Sequence, residues 1–199
     1  MNVDQLHIDR ASQELSKGNI VVVPTESFYA LAVDATCSQA LNHLSQRKNR
    51  PEGKPFPLLI VPEMITSYVT KLHDHARKLM EIYWPGPLTL VLPTTFTHPA
   101  VKGERGAAFR YGTHPVTNRL LQTFGKPITC TSANLSGMEP HDTIEKLAQS
   151  FDLMGIEVLD VGKLPGGKVS TIVDCCEKDK WMVVREGAIE TKLIERSLS

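Results

Sequence analysis

Two cations, Lys48 and Arg50, stand two positions apart in the most basic stretch of the chain, QRKNRPEGKP at residues 46–55. Pro51 pushes the residue before it toward an extended backbone, and in an extended segment positions two apart share a face. A lysine point charge beside a bidentate arginine fork suits a phosphate chain. The same residues also read as a solvated helix end whose cations complement the helix dipole. A second group, TCTSANLSG at 129–137, sets Thr131, Ser132 and Asn134 after a strand. It offers hydroxyl, amide and backbone donors to a nucleotide, or makes a turn from residues that favour turns. Arg110 in AAFRYGTHP and Arg185 in WMVVREG each end an apolar strand. Such an arginine either has an assigned anion or belongs to a structural ion pair. Finally, VVVPTESFYALAVDA at 21–35 runs three valines into a proline and then into Thr25, Glu26, Ser27 and two aromatics. In open α/β sheets ligands sit beyond the carboxyl ends of strands, where this cluster and the one after Cys130 both fall.

Other patterns are weaker. In GKLPGGKVST at 162–171, Gly162, Gly167 and Lys168 match a phosphate-binding loop, but Val169 stands where a hydroxyl would hold magnesium, and a strand follows instead of a helix. Ser170 and Thr171 remain open to a ligand. The seven histidines show no metal-ligand spacing, and His73 and His75 are expected in a surface turn. No nucleophile elbow or zinc-protease motif is present, and no metal ligand is nominated. Cys37 and Cys130 read as packing residues. Without a nucleophile of its own, an enzyme of this sequence is expected to let one substrate attack another.

These residues need a scaffold, and the pattern supplies one. Helices are expected over the first segment, with Leu6, Ala11 and Leu15 on one face and Gly18 ending it. Further helices are expected at 38–47, capped by Ser38 and carrying Leu41 and Leu44, at 74–83 with Leu79 and Ile82 inward, and at 115–124 through Val116, Leu120 and Leu121. Asp142 with Glu145 predicts a capping box for another, and a terminal helix follows Thr191. Strands are expected at NIVVV, FPLLIV, PLTLVLP, AAFRY, KPITCTSAN, EVLDV, VSTIVD and WMVVRE. Interleaved helices and strands point to an α/β domain, with a mixed sheet because the strands near the end are spaced like a hairpin. The 199 residues suit one domain, with its core at about 5–188. Lys+Arg and Asp+Glu balance at 22 each, so bulk charge does not argue for a polyanion partner. Four cysteines without a C-x-x-C pair, no signal-peptide pattern and no membrane-length apolar run predict a cytoplasmic, membrane-free protein with reduced thiols.

The segments PTESFYAL, RKNRPEGKPFPLLI, WPGPLTLVLP, FRYGTHP, KPITCTSANLSG, VSTIVD and VVREG, in this order over about residues 19–188, resemble the YrdC-like family in its threonylcarbamoyl-AMP synthase (TsaC) branch. The resemblance implies a twisted open mixed β-sheet flanked by helices, with a large basic concave cavity. It implies a nucleotidyltransferase that makes threonylcarbamoyl-adenylate and pyrophosphate from L-threonine, bicarbonate or CO2, and ATP. Partner proteins then transfer the threonylcarbamoyl group to the tRNA adenosine beside the anticodon. On this resemblance Lys48 and Arg50 hold the triphosphate, Thr131, Ser132, Asn134 and Arg185 contact the nucleotide, Arg110 pairs with the threonine carboxylate, and Thr25, Tyr29 and Ser170 line the threonine pocket. Magnesium sits on the phosphates.

The sequence departs from the family pattern at Ala30 and Ala32, where glycines are usual, and after Arg110, where Tyr111-Gly112 replaces a nearby proline. It is also expected to lack the C-terminal domain of longer synthases. Three other readings stay open: a YciO-like paralogue, an RNA-binding module contacting tRNA or double-stranded RNA through Lys48, Arg50, Lys54, Arg110 and Arg185, and a carbamoyl-transfer domain of the hydrogenase-maturation type.

Overall fold

A computed structural model describes residues 3–51, 53–134 and 139–199, with Ser150 described by its backbone. Glu52 of the basic stretch and 135–137 of the TCTSANLSG loop therefore lie outside the described residues.

The strands form two mixed sheets in place of the one sheet expected. The first has order β7-β2-β1-β8, built from Thr131–Ser132, Tyr29–Ala32, Val21–Pro24 and Glu157–Val158. The second has order β10-β9-β4-β5-β3-β6, built from Lys180–Arg185, Thr171–Glu177, Leu88–Leu92, Ala107–Arg110, Leu58–Leu59 and Ile128–Thr129. The apolar run of β1 is fully buried along its length. It pairs antiparallel with β2 and parallel with β8. Burying each of its valines contributes about 1.5–3 kcal/mol.

The segment KPITCTSAN is not one strand. Ile128–Thr129 pairs with β3 in the larger sheet, and Thr131–Ser132 pairs with β2 in the smaller one. Cys130 is the crossing point, its N–H donating to the Pro57 carbonyl at 2.7 Å. The chain thus changes sheet immediately before the Ser132-Ala133-Asn134 segment.

The helices fall close to their expected ranges, with corrections in their facing residues. α1 (Gln5–Ser16) buries Ile8, Ala11 and Leu15, whereas Leu6 is 55% exposed. α2 (Ser38–Arg47) buries Leu41 and Leu44, but Cys37 precedes it as N-cap without a side-chain bond, and Ser38 is already helical. α3 (Ile65–Tyr68) is a single short turn. α4 (Asp74–Tyr83) buries Leu79, while Ile82 is 51% exposed. α5 (Pro115–Phe124) buries Thr117, Leu120 and Leu121, with Val116 only half-buried at its edge. α6 (Ile144–Ser150) is capped by Thr143, whose hydroxyl accepts from the Lys146 N–H, while Asp142 pairs with the Lys146 ammonium. α7 (Thr191–Leu198) closes the chain and packs beside α4 through Ile194, with Tyr83 and Ser197 hydrogen-bonded at 2.8 Å. His73 is buried and stacks on His75, so this pair is part of the packed structure and not a surface turn.

Candidate active site

The basic stretch owes its shape to the end of α2. Lys48 is the C-cap, Asn49 follows at φ 49°, and the N–H groups of Asn49 and Arg50 donate back to the carbonyls of Gln46 and Ser45. This is a Schellman ending with asparagine in the left-handed position. The extended segment expected from Pro51 is therefore absent at Lys48 and Asn49.

The turn sends the two cations to different tasks. Lys48 is 1% exposed, and its ammonium donates to the carbonyl oxygens of Ser132 and Asn134 at 2.6 and 2.7 Å and to Asn134 Oδ1 at 3.3 Å. Burial, and then the charge of Arg50, pull its pKa down to about 8. Arg50 donates to the carbonyls of Lys54 and Pro55 and lies 4.6 Å over the Phe56 ring. Arg50 lines a cavity of about 660 Å3, whereas Lys48 lies behind its wall.

Both sheets line that cavity. From the smaller sheet and its loops come Thr25, Tyr29, Ala30, Thr131, Ser132 and Asn134. From the larger sheet come Thr89, Val91, Ala108, Arg110 and Ile172, while Leu88, Leu90, Ala107, Phe109 and Val173 face the core. The period of two along a strand makes this division. A register shift between Val183 and Arg185 breaks the period, and Val184 and Arg185 both line the cavity. Among the described residues, the charged ones that line the cavity are Arg50, Lys54, Arg110 and Arg185, all cations.

Arg110 and Arg185 reach the wall in different states. Arg110, in register with Thr89, is 9% exposed and ion-paired through Nη2 with Glu26. Burial lowers its pKa. Arg185 donates to the Ser170 carbonyl at 2.9 Å, and Ser170 Oγ hydrogen-bonds Thr89 Oγ1 at 2.8 Å. Gly187 permits this approach, since a Cβ there would stand 2.2 Å from the Val169 carbonyl oxygen.

The remaining nominated residues also line the cavity, and the hydroxyls of Thr25, Tyr29 and Ser132 are engaged. Thr25 Oγ1 donates to the Phe28 carbonyl and accepts from the Ser27 and Phe28 N–H groups, closing the turn after β1. The Tyr29 hydroxyl donates to the Gly162 carbonyl at 2.7 Å, lies 3.1 Å from Asp160 Oδ1 and accepts from the Val161 N–H. Burial pushes its pKa up to about 12. Ser132 Oγ donates to Asn134 Oδ1 at 2.6 Å. All ten nominated residues converge on the cavity or, for Lys48, on the segment that walls it. Glu26 was not nominated; its only signal was a carboxylate in the polar run after a buried strand.

Burial raises the Cys130 thiol beside the cavity, which leaves it a poor nucleophile. Among the described residues, no cluster of three or more His, Cys, Asp or Glu side chains is arranged to hold a metal. The wall is cationic, and the neighbouring carboxylate of Glu26 is already paired.

The family model Sua5_yciO_yrdC, described as Telomere recombination, matches residues 13–187, and the chain is a member of that family. It is 32% identical over 157 residues to the threonylcarbamoyl-AMP synthase of Aliivibrio fischeri, covering 76% of this chain and 85% of that protein. It is 32% identical over 177 residues to the enzyme of that name from Yersinia enterocolitica, covering 85% and 90%. Its fold matches P. abyssi Sua5 complexed with L-threonine at a TM-score of 0.90 and 28% identity, over 100% of this chain and 59% of that one. It matches E. coli YciO at a TM-score of 0.82 and 27% identity, over 96% and 94%.

Proposed function

We propose that the protein is an L-threonylcarbamoyladenylate synthase. It joins L-threonine, bicarbonate or CO2, and ATP into threonylcarbamoyl-AMP, releasing pyrophosphate and, when the carbon source is bicarbonate, water. The observation that carries this reading is one cavity whose charged lining among the described residues is cationic, in a chain related to named threonylcarbamoyl-AMP synthases over most of its length.

The chemistry needs no enzyme nucleophile. The neutral threonine amine attacks the carbon source, losing a proton to solvent with CO2 or expelling water with bicarbonate, and the resulting carbamate oxygen attacks the α-phosphorus of ATP while pyrophosphate leaves. The protein contributes positioning and charge neutralisation. Arg110, deep in the wall, takes the threonine carboxylate, with Thr25, Tyr29 and Ser170 around it. Arg50 and Arg185 face the phosphates. Thr131, Ser132 and Asn134 contact the nucleotide. Lys48 contributes positive charge from behind this segment and fixes its carbonyls. Magnesium would arrive bound to the phosphates of ATP, as it usually does in such sites. The product is labile and passes, in the cytoplasm, to proteins that transfer the threonylcarbamoyl group to tRNA.

The test is pyrophosphate release by the purified protein with ATP, magnesium and bicarbonate, with and without L-threonine. Release that requires threonine supports the reading; release indifferent to threonine contradicts it.

A further inference from the structure

A buried guanidinium needs a counter-charge, and among the described residues that line the cavity none supplies one to Arg110. Glu26 does so from the turn between β1 and β2, where its neighbours Thr25 and Ser27 line the cavity. Gly112 makes room for the pair: a Cβ there would stand 3.2 Å from Glu26 Oε2 and 3.8 Å from Arg110 Nη2. Among the described residues, Arg110 Nε and Glu26 Oε2 are buried without a hydrogen-bond partner. The guanidinium is thus charge-compensated but not saturated with hydrogen bonds.

This arrangement has an electrostatic consequence. A simple carboxylate arriving at Arg110 would place a second anion beside Glu26 in a partly desolvated site. An amino acid in its zwitterionic form brings an ammonium with its carboxylate, so the local charge does not change. Like charges brought together out of water are costly, and such juxtapositions set specificity. Arg185 adds a positive charge nearby, but it does so equally with Glu26 present or absent.

We propose that Glu26 is a specificity-determining residue that makes the Arg110 site select an α-amino acid zwitterion over the corresponding amine-free carboxylate. The inference rests on the reading in which Arg110 receives the substrate carboxylate.

Calorimetric titration without ATP tests it, using L-threonine and D-β-hydroxybutyrate, which is threonine without its amine. The wild type is expected to prefer threonine by about tenfold or more, and E26Q to shift the ratio of the two affinities toward hydroxybutyrate by about tenfold or more. E26D, which keeps the charge, is expected to retain the wild-type direction of preference. An unchanged ratio in a folded E26Q protein overturns the proposal. So does a wild type with no preference, a result that requires no variant to fold. R110Q separates this inference from the reading beneath it. If R110Q binds threonine as well as the wild type, Arg110 is not the carboxylate partner and both fail. If R110Q loses threonine while E26Q leaves the ratio unmoved, the role of Glu26 alone fails.

Discussion

The Lys48 ammonium lies 2.6 Å from the carbonyl oxygen of Ser132 and 2.7 Å from that of Asn134. Two segments 84 and 86 residues apart in the chain are thereby fixed to each other at the cavity wall. Because the bonds go to backbone oxygens, they hold the path of the Ser132–Asn134 segment whatever its side chains do.

That anchor is expected to be pH-dependent. Below about 8 Lys48 is an ammonium and donates; above that value it loses charge and a donor. ATP affinity of the wild type should therefore fall as pH rises through about 8. K48M should bind ATP about 10–100-fold more weakly at neutral pH and lack this alkaline limb. Nucleotide titrations across the alkaline range check both.

A covalent route through Cys130 is not expected. The thiol is raised by burial, which outweighs the pull of Arg110. C130S should keep threonine-dependent pyrophosphate release within about threefold, where removing a true nucleophile costs on the order of 10⁴-fold or more. Steady-state rates decide.

Ala30 and Ala32 occupy ordinary strand positions, paired with Val23 and Val21, and are 2% and 0% exposed. Ala30 lines the cavity and Ala32 packs in the core. Substituting glycine at Ala32 removes a buried methyl and loosens the strand, so A32G should lower stability by about 1–2 kcal/mol and leave turnover unchanged. Urea denaturation and activity together test this.

Asp174 gives an acid dependence. Burial raises its carboxyl, but hydrogen bonds from Arg105 and from the Cys176 N–H outweigh burial and hold it below its ordinary value. A depressed carboxylate contributes stability above its unfolded pKa and loses it as pH falls through its folded pKa. The urea midpoint of the wild type should exceed that of D174N near neutral pH, and the gap should close on acidification. A constant gap would show that the Asp174 charge is not what stabilises the hairpin.

Much of the fold was legible because buried strands such as β1 and amphipathic helices such as α5 carry strong periods. The misses have local causes. Leu6 and Ile82 satisfy a helical spacing but sit at the edge of their stripes, where a neighbouring position, such as Ile8, faces the core. The segment KPITCTSAN reads as one strand because composition does not show that Cys130 crosses between sheets. Pro51 suggested an extended basic stretch, yet Asn49 could have warned of a left-handed helix end. The residues that line the cavity were legible singly as polar or cationic strand ends, and the family resemblance was what joined them into one candidate site. Glu26 was not, because its partner Arg110 lies 84 positions away and only the tertiary fold joins them.

The most direct measurement is mass spectrometry of a quenched reaction run with isotopically labelled bicarbonate, ATP and L-threonine. The account predicts a threonylcarbamoyl-adenylate species that carries the bicarbonate label, appears with pyrophosphate, and disappears in R110Q. Pyrophosphate without a labelled adenylate, or an adenylate that forms without threonine, would contradict it.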